Sequence, residues 1–271
     1  MIALLPVVLA LSVPLSDPII RRDDRPDSAY CNLGAQARAL VSIGRAGDDT
    51  LISSRWVLTA GHIARSLSMR QPEMRSVDVG GATYAVQETF VHPEWTEMGP
   101  HDIGLLYLAR PVVGVIPALL YRDTAEKGLI ATLLGHGQSG TGATPDRIED
   151  GKARGATSRV DSVNAQWLYF SFDAPSSGTE LEGAPGAGDS GGPAIVVIDK
   201  MPFVVGVSSA GYDGVNGPGS YGAVDVFTRV STHAAWIDKV MMAATSGPPG
   251  NASGRPSARG NGGRGSRGPR R

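Results

Sequence analysis

The sequence predicts an all-β body finished by one helix, and three observations predict it. Glycine and proline are abundant, 36 and 19 in 271 residues, which supplies the punctuation of many turns. Between them lie short apolar or alternating runs rather than long stretches of helical period. Aromatic residues make up only 6%, which disfavours a helix-rich bundle.

In chain order, the expected strands cover 39–43, 50–52, 56–59, 84–91, 103–108, 129–134, 167–172, 194–198 and 203–207, each bounded by Gly, Pro, Asn or Asp. The pattern changes at the end, where Trp236, Ile237, Val240 and Met241 recur with an i, i+4 spacing and Ser231 or Thr232 offers a cap. A boundary between two halves falls in 117–128, so 19–120 and 121–245 are the expected units, with no internal repeat. A single cysteine, Cys31, excludes a disulfide framework, a Cys-rich zinc finger and a CxxC redox centre within one chain.

The ends differ from the body. Residues 1–13 are apolar, broken by Pro6, and shorter than the roughly 20 residues a membrane-crossing helix needs. With the small residues of Ala10-Leu11-Ser12 they are expected, within 1–18, to be a secretory signal or pro-segment, although no Lys or Arg precedes them; an apolar strand or a mis-called start codon is the alternative. Residues 246–271 hold six Arg and no acid, which leaves the rest of the chain at −7 against a net −1. So little of this tail is apolar that it is expected to be disordered, either a solvated extension or a tether to an anionic polymer or cell envelope. Asn251-Ala252-Ser253 matches a glycosylation sequon, a three-residue match of little weight.

Three separated segments share one chemical need. Thr59-Ala60-Gly61-His62 places a histidine after a hydrophobic strand, and His101-Asp102-Ile103-Gly104 an acid at the mouth of another. Gly188-Asp189-Ser190-Gly191-Gly192-Pro193 places a serine in an uncrowded loop. A serine hydroxyl is a weak nucleophile until an imidazole takes its proton, and the imidazole needs a carboxylate to fix its tautomer. Ser190, His62 and Asp102 fit those roles, and the amides of Gly188 and Ser190 fit an oxyanion hole. Taken singly, each segment also reads as a packed histidine, a turn acid or a Gly-rich turn.

These motifs resemble the trypsin-like (chymotrypsin-fold) serine proteases, of the bacterial secreted kind. The resemblance runs over about 30–240 and includes the strand Leu51 through His62, the acid strand from Asp102, Leu134-Gly135-His136-Gly137 and Val226-Phe227-Thr228-Arg229-Val230. It implies two perpendicular six-stranded antiparallel β-barrels with a C-terminal helix, a cleft between them, protein or peptide substrates, no cofactor and a monomer. Ile63 stands where many members have a paired cysteine. Ile19-Ile20 resembles the freed Ile-Val that pairs with the acid beside the nucleophile, here Asp189, but Arg21-Arg22 replaces the usual glycines and Pro18 precedes the bond. The alternative is that another partner satisfies Asp189 without cleavage.

The family builds its primary pocket six residues before the serine and on the strands after it. Ala184 takes the base position, which predicts no acid there. An ungapped alignment puts Asp225 on the pocket wall, able to pair with Arg or Lys of a substrate; an alternative alignment through Pro218-Gly219-Ser220-Tyr221 sends it elsewhere and leaves a small or apolar preference. Ser209-Ala210-Gly211 resembles the edge on which substrate backbone adds as a strand.

Two other classes compete. An α/β-hydrolase would use Ser190 with His233 and Asp213 or Asp225, but the β-branched run after Pro193 argues for a strand where that fold needs a helix. An inactive or latent module carrying the three residues only for binding is the other. His92, His101 and His136 lie in unlike segments without ligand spacing, and Glu73 with Asp78 is a faint calcium-loop hint, so no metal is expected.

Overall fold

The computed structural model describes residues 19–245 apart from 45, 46, 98 and 145. The expected leader, the basic tail and its sequon lie outside the described residues.

The chain opens with β1 (Ile20–Arg21) and α1 (Asp27–Gly34), then builds β2 (Leu40–Ser42), β3 (Asp48–Ser53), β4 (Trp56–Thr59), α2 (Gly61–Ser68), β5 (Ser76–Val79), β6 (Ala82–Val91) and β7 (Gly104–Leu108). Six of these strands close a barrel in the order β2-β3-β4-β7-β6-β5. Local pattern explains its walls: in β5, Val77 and Val79 point in while Asp78 points out, the period-2 alternation of a half-buried strand. The residues of β4 are all buried, and Leu105, Leu106 and Leu108 of β7 are fully covered. Burying a leucine side chain contributes about 1.5–3 kcal/mol, so this apolar lining holds the barrel without sulfur.

The second half contains β8 (Leu119–Leu120), β9 (Ile130–Gly135), β10 (Ser139–Thr141), β11 (Arg147–Ile148), β12 (Arg154–Arg159), β13 (Ser162–Val163), β14 (Trp167–Ser171), β15 (Gly183–Ala184), β16 (Pro193–Ile198), β17 (Met201–Tyr212), β18 (Val224–Arg229) and α3 (Val230–Thr245). Its main sheet runs β12-β9-β16-β17-β18-β14-β13, with β8 beside β17. The two ends of that sheet are one stretch of chain bent at Val160 and Asp161. Val160 N still donates to Leu129 O (2.9 Å), whereas Asp161 N donates to Tyr169 O (3.0 Å). The ring of the second half is thus joined through a bent strand, in contrast to the continuous ladder of the first.

A small sheet, β11-β10-β1-β15, carries the N-terminal segment onto this second half. Residues 19–34 were expected with the first half, yet β1 pairs with β10 and β15, and Asp27 of α1 pairs with Arg154 of β12. The core runs across both halves: Leu58 and Leu105 share a cluster with Leu134, Ile195 and Val207. Helix α3 packs Ile237 into it, as its spacing predicts. It begins at Val230, before either expected cap, so Ser231 donates to Glu126 and Thr232 to the Arg229 carbonyl (3.2 Å). Among the described residues no helix is long and apolar enough to cross a membrane.

Candidate active site

The loop before β7 and the first turn of α2 bring His62 and Asp102 together. Oδ1 of Asp102 accepts the His62 backbone N–H (2.8 Å) and so caps α2, a favourable place for a carboxylate. Oδ2 pairs with His62 Nδ1 at 2.8 Å. A carboxylate only accepts, so Nδ1 carries the ring proton and Nε2 keeps its lone pair. Two residues of the second half complete the anchorage: Ser209 Oγ donates to Asp102 Oδ2 (2.6 Å), and Thr228 Oγ1 to the Asp102 carbonyl (2.7 Å). Asp102 is only 4% exposed.

Ser190 sits half-buried on the turn that leads into β16. Its carbonyl accepts from Asp48 N (2.9 Å), tying that turn to the first barrel. Gly188 has φ +99°, a backbone conformation that side chains disfavour, and a Cβ there would stand 3.0 Å from Gly137 Cα. Among the described residues the amides of Gly188 and Ser190 donate to no protein acceptor, and no hydrogen bond yet joins the Ser190 hydroxyl to His62. Such bonds are commonly longer before substrate enters. Beside His62 a groove of about 520 Å³ is walled by Trp95, Trp167, Ser209, Ala210 and Tyr212.

Asp189 lies beneath this turn. It accepts from Gly137 N (2.7 Å), Gly186 N (2.7 Å) and Ile19 N (3.0 Å), and burial, then neighbouring Asp48, push it up to about 7. Ile19 is fully buried with φ +51°, unusual for a β-branched residue. Asp48 accepts His136 N and pairs with His136 Nδ1, both at 2.6 Å; this is the packed role expected of His136. The buried Asp49 carboxyl has Thr59 as its side-chain neighbour and, among the described residues, no cation to pair with, and burial holds it well above the usual carboxylate range. The acid pair Asp48-Asp49 was missed in the sequence; its signal was two acids opening a strand whose first four residues are all buried.

Ala184, fully buried, pairs with Ile20. Asp225 pairs in register with Gly211, whose added Cβ would lie 3.2 Å from Asp225 Oδ1. Asp225 is 8% exposed, its carboxyl makes no hydrogen bond among the described residues, and it is held well up by burial and then by Asp189. His233 is far from serving Ser190. Its Nδ1 meets the Arg229 carbonyl (2.6 Å) and its Nε2 meets His101 Nδ1 (3.0 Å), while a strand, β16, follows the serine turn; the α/β-hydrolase arrangement is excluded. Asp78 is engaged by Thr83 Oγ1 (2.6 Å) on the barrel surface.

A family model described as Trypsin matches residues 35–237. The chain belongs to the trypsin family. This trypsin-family chain is 29% identical over 211 residues to "Vitamin K-dependent protein C" of Mus musculus, covering 69% of the chain and 44% of that protein. The same protein of Rattus norvegicus gives the same identity and coverage. "Chymotrypsin-like elastase family member 1" of Macaca fascicularis is 27% identical over 224 residues, 71% of the chain and 77% of the relative. The chain thus spans less than half the length of the first two. Where many family members have a cystine, the trypsin-family chain packs carbon: Ile63 is 5% exposed, and Gly47 makes room, since a Cβ there would come 2.5 Å from the Ser190 carbonyl oxygen and 2.9 Å from Ile63 Cδ1.

Proposed function

We propose that this chain is a secreted, monomeric serine endopeptidase in which Ser190 attacks the peptide carbonyl, His62 moves the proton and Asp102 orients His62. The observation that carries the reading is the anchored His62–Asp102 pair, with Nε2 left as the basic nitrogen, beside a serine turn whose two amides are free to meet an oxyanion. Protein or peptide substrates would lie along Ser209-Ala210-Gly211. The basic tail would engage an anionic polymer or remain solvated.

Cleavage after Arg or Lys is the favoured specificity, because Asp225 is a buried carboxyl without a cation and stands beside Gly211. A substrate guanidinium or ammonium would supply that cation. Activation by release of the Ile19 amine is supported by the Ile19–Asp189 contact at 3.0 Å and by the left-handed backbone of Ile19, which a cut before it would relax. An ammonium there would draw Asp189 back toward its ordinary range.

A peptide-library digest read by mass spectrometry tests all three. The protein beginning at Ile19 is expected to cut after Arg and Lys, and Ser190→Ala to lose about 10⁴-fold or more in rate. Asp225→Gly should keep cutting but lose the basic preference. Equal activity of a chain beginning at Met1 would remove the activation step, and cleavage that survives Ser190→Ala would remove the nucleophile.

A further inference from the structure

Three histidines from two distant parts of the chain meet behind the candidate acid. His92 ends the β6 side of the β6–β7 connection, His101 closes that connection one residue before Asp102, and His233 lies in the first turn of α3. One ring nitrogen from each lies within 4.8 Å of the other two. His92 and His101 stack at 4.6 Å between centroids, and Trp236 packs on His92 at 4.9 Å.

We propose that His92, His101 and His233 form a binding site for a borderline divalent transition metal of the zinc class. Imidazole suits such ions, and three neutral histidines with one open position are a standard zinc donor set. Metal–nitrogen bonds of about 2.0–2.1 Å in a tetrahedron set the nitrogens about 3.4 Å apart. The His101 Nδ1–His233 Nε2 separation of 3.0 Å is already close to that, whereas His92, whose Nδ1 accepts the Glu94 backbone N–H at 3.3 Å, would release that bond and turn its freed ring toward the ion.

The surroundings are those of a ligand set. His233 Nδ1 donates to the Arg229 carbonyl at 2.6 Å, which fixes its tautomer and leaves Nε2 with a lone pair directed at the cluster. His101 Nδ1 now donates to that lone pair. On metal entry the His101 proton moves from Nδ1 to Nε2, where Glu94 Oε2 stands at 3.4 Å to receive it as a hydrogen bond, so the ring stays neutral and no proton is lost. Glu94 also brings one negative charge against the cation.

Position gives the site its consequence. Both His92 and His101 belong to the connection that also carries Trp95 into the groove and ends at Asp102, whereas His233 belongs to α3. A bound ion would clamp the groove wall to the terminal helix. His101 has φ +63°, so the connection is held in a sparsely populated backbone state at the ligand itself.

The test uses protein freed of metal on a chelating resin and titrated with cobalt(II). One equivalent is expected to give the visible d–d absorption of a low-symmetry cobalt site, raise the thermal midpoint with increasing cobalt, and be displaced by zinc. His92→Asn and His101→Asn should weaken binding by more than the roughly 10–100-fold that losing an outer partner costs. Asparagine tolerates positive φ, so His101→Asn is suited to its backbone, and each variant is checked for folding by circular dichroism. His62→Gln should bind cobalt as the parent does. No absorption and no midpoint shift in the parent would overturn the site. So would undiminished binding by both folded asparagine variants, or loss of binding in His62→Gln, which would move the ion to the groove.

Discussion

The two halves reach a ring of strands by different means. The first is a continuous antiparallel ladder around an apolar lining, with fully covered leucines on β4 and β7. The second is joined through the bend at Val160 and Asp161 and is braced from outside by charge. Arg154, fully buried, meets both oxygens of Asp27 (2.6 and 2.9 Å) and both of Asp150 (2.9 Å each), so α1 is fastened to β12. Arg229 grips the fully buried Glu126 in the same forked way (2.9 and 2.6 Å). A closed ladder satisfies its own backbone, whereas a ring closed by a bend leaves its flanks to side chains, and planar guanidinium groups suit that task.

That contrast is easiest to break at Arg154. Arg154→Ala is expected to lower stability by about 3–5 kcal/mol, because a fully buried side chain gives up its packing and four charge-assisted hydrogen bonds at once, while Asp27 keeps Arg21 and Asp150 keeps Lys152. Urea unfolding measures it, and a loss under about 1 kcal/mol would mean that apolar contact alone holds α1, as in the first barrel.

Acid should act next, through the junction at α3. Burial, with the neighbouring His101 and His92 rings, pushes His233 down to about 4 despite the Arg229 carbonyl. The unfolded chain takes up this proton near pH 6.5 and the folded one only near 4, so stability present above about pH 6.5 is lost as pH falls toward 4. The difference is worth about 3 kcal/mol. Asp189 acts oppositely: with its folded value raised to about 7, it favours the folded state at low pH and loses that contribution as pH rises through 7. Comparing urea midpoints of the parent and His233→Asn at pH 7.5 and 4.5 isolates the histidine, and equal acid losses in both would assign the effect elsewhere.

The smallest expected effect sharpens the comparison by contrast. Arg122 also meets both oxygens of Asp238 (2.8 and 2.9 Å), but their side chains are 55% and 42% exposed. Arg122→Ala should therefore cost no more than about 1 kcal/mol and become neutral at high salt. A loss comparable to that of Arg154→Ala would show that geometry, and not burial, sets the value of these forks.

The sequence displayed what is local and hid what converges. The run at 56–59 coincides with β4, and those at 167–172 and 194–198 differ from β14 and β16 by a residue at one end, since alternation and β-branching are written in neighbours. His62 and Asp102, which the fold brings together, and the candidate Ser190 could be singled out because each sits in its own short motif. By contrast α1 and α2, eight residues each, carry too few turns for a periodic signal. The full length of β17, twelve residues, was seen only as 203–207 because its polar half, Ser208 to Gly211, is recruited by β18. His92 and His101 were visible, but nothing in their spacing pointed to His233, which α3 brings to them from 132 residues beyond His101.

Asp102 answers to both halves at once, to the His62 amide and ring on one side and to Ser209 and Thr228 on the other. It is therefore a seam as much as a functional group. Two fragments parted in the exposed stretch around Val113 would each keep hydrophobic strands, yet the first would hold His62 and Asp102 without Ser209 and Thr228, the second half of the tether. Reassembly alone would restore it, which makes this molecule a natural scaffold for a split reporter whose signal requires the halves to meet.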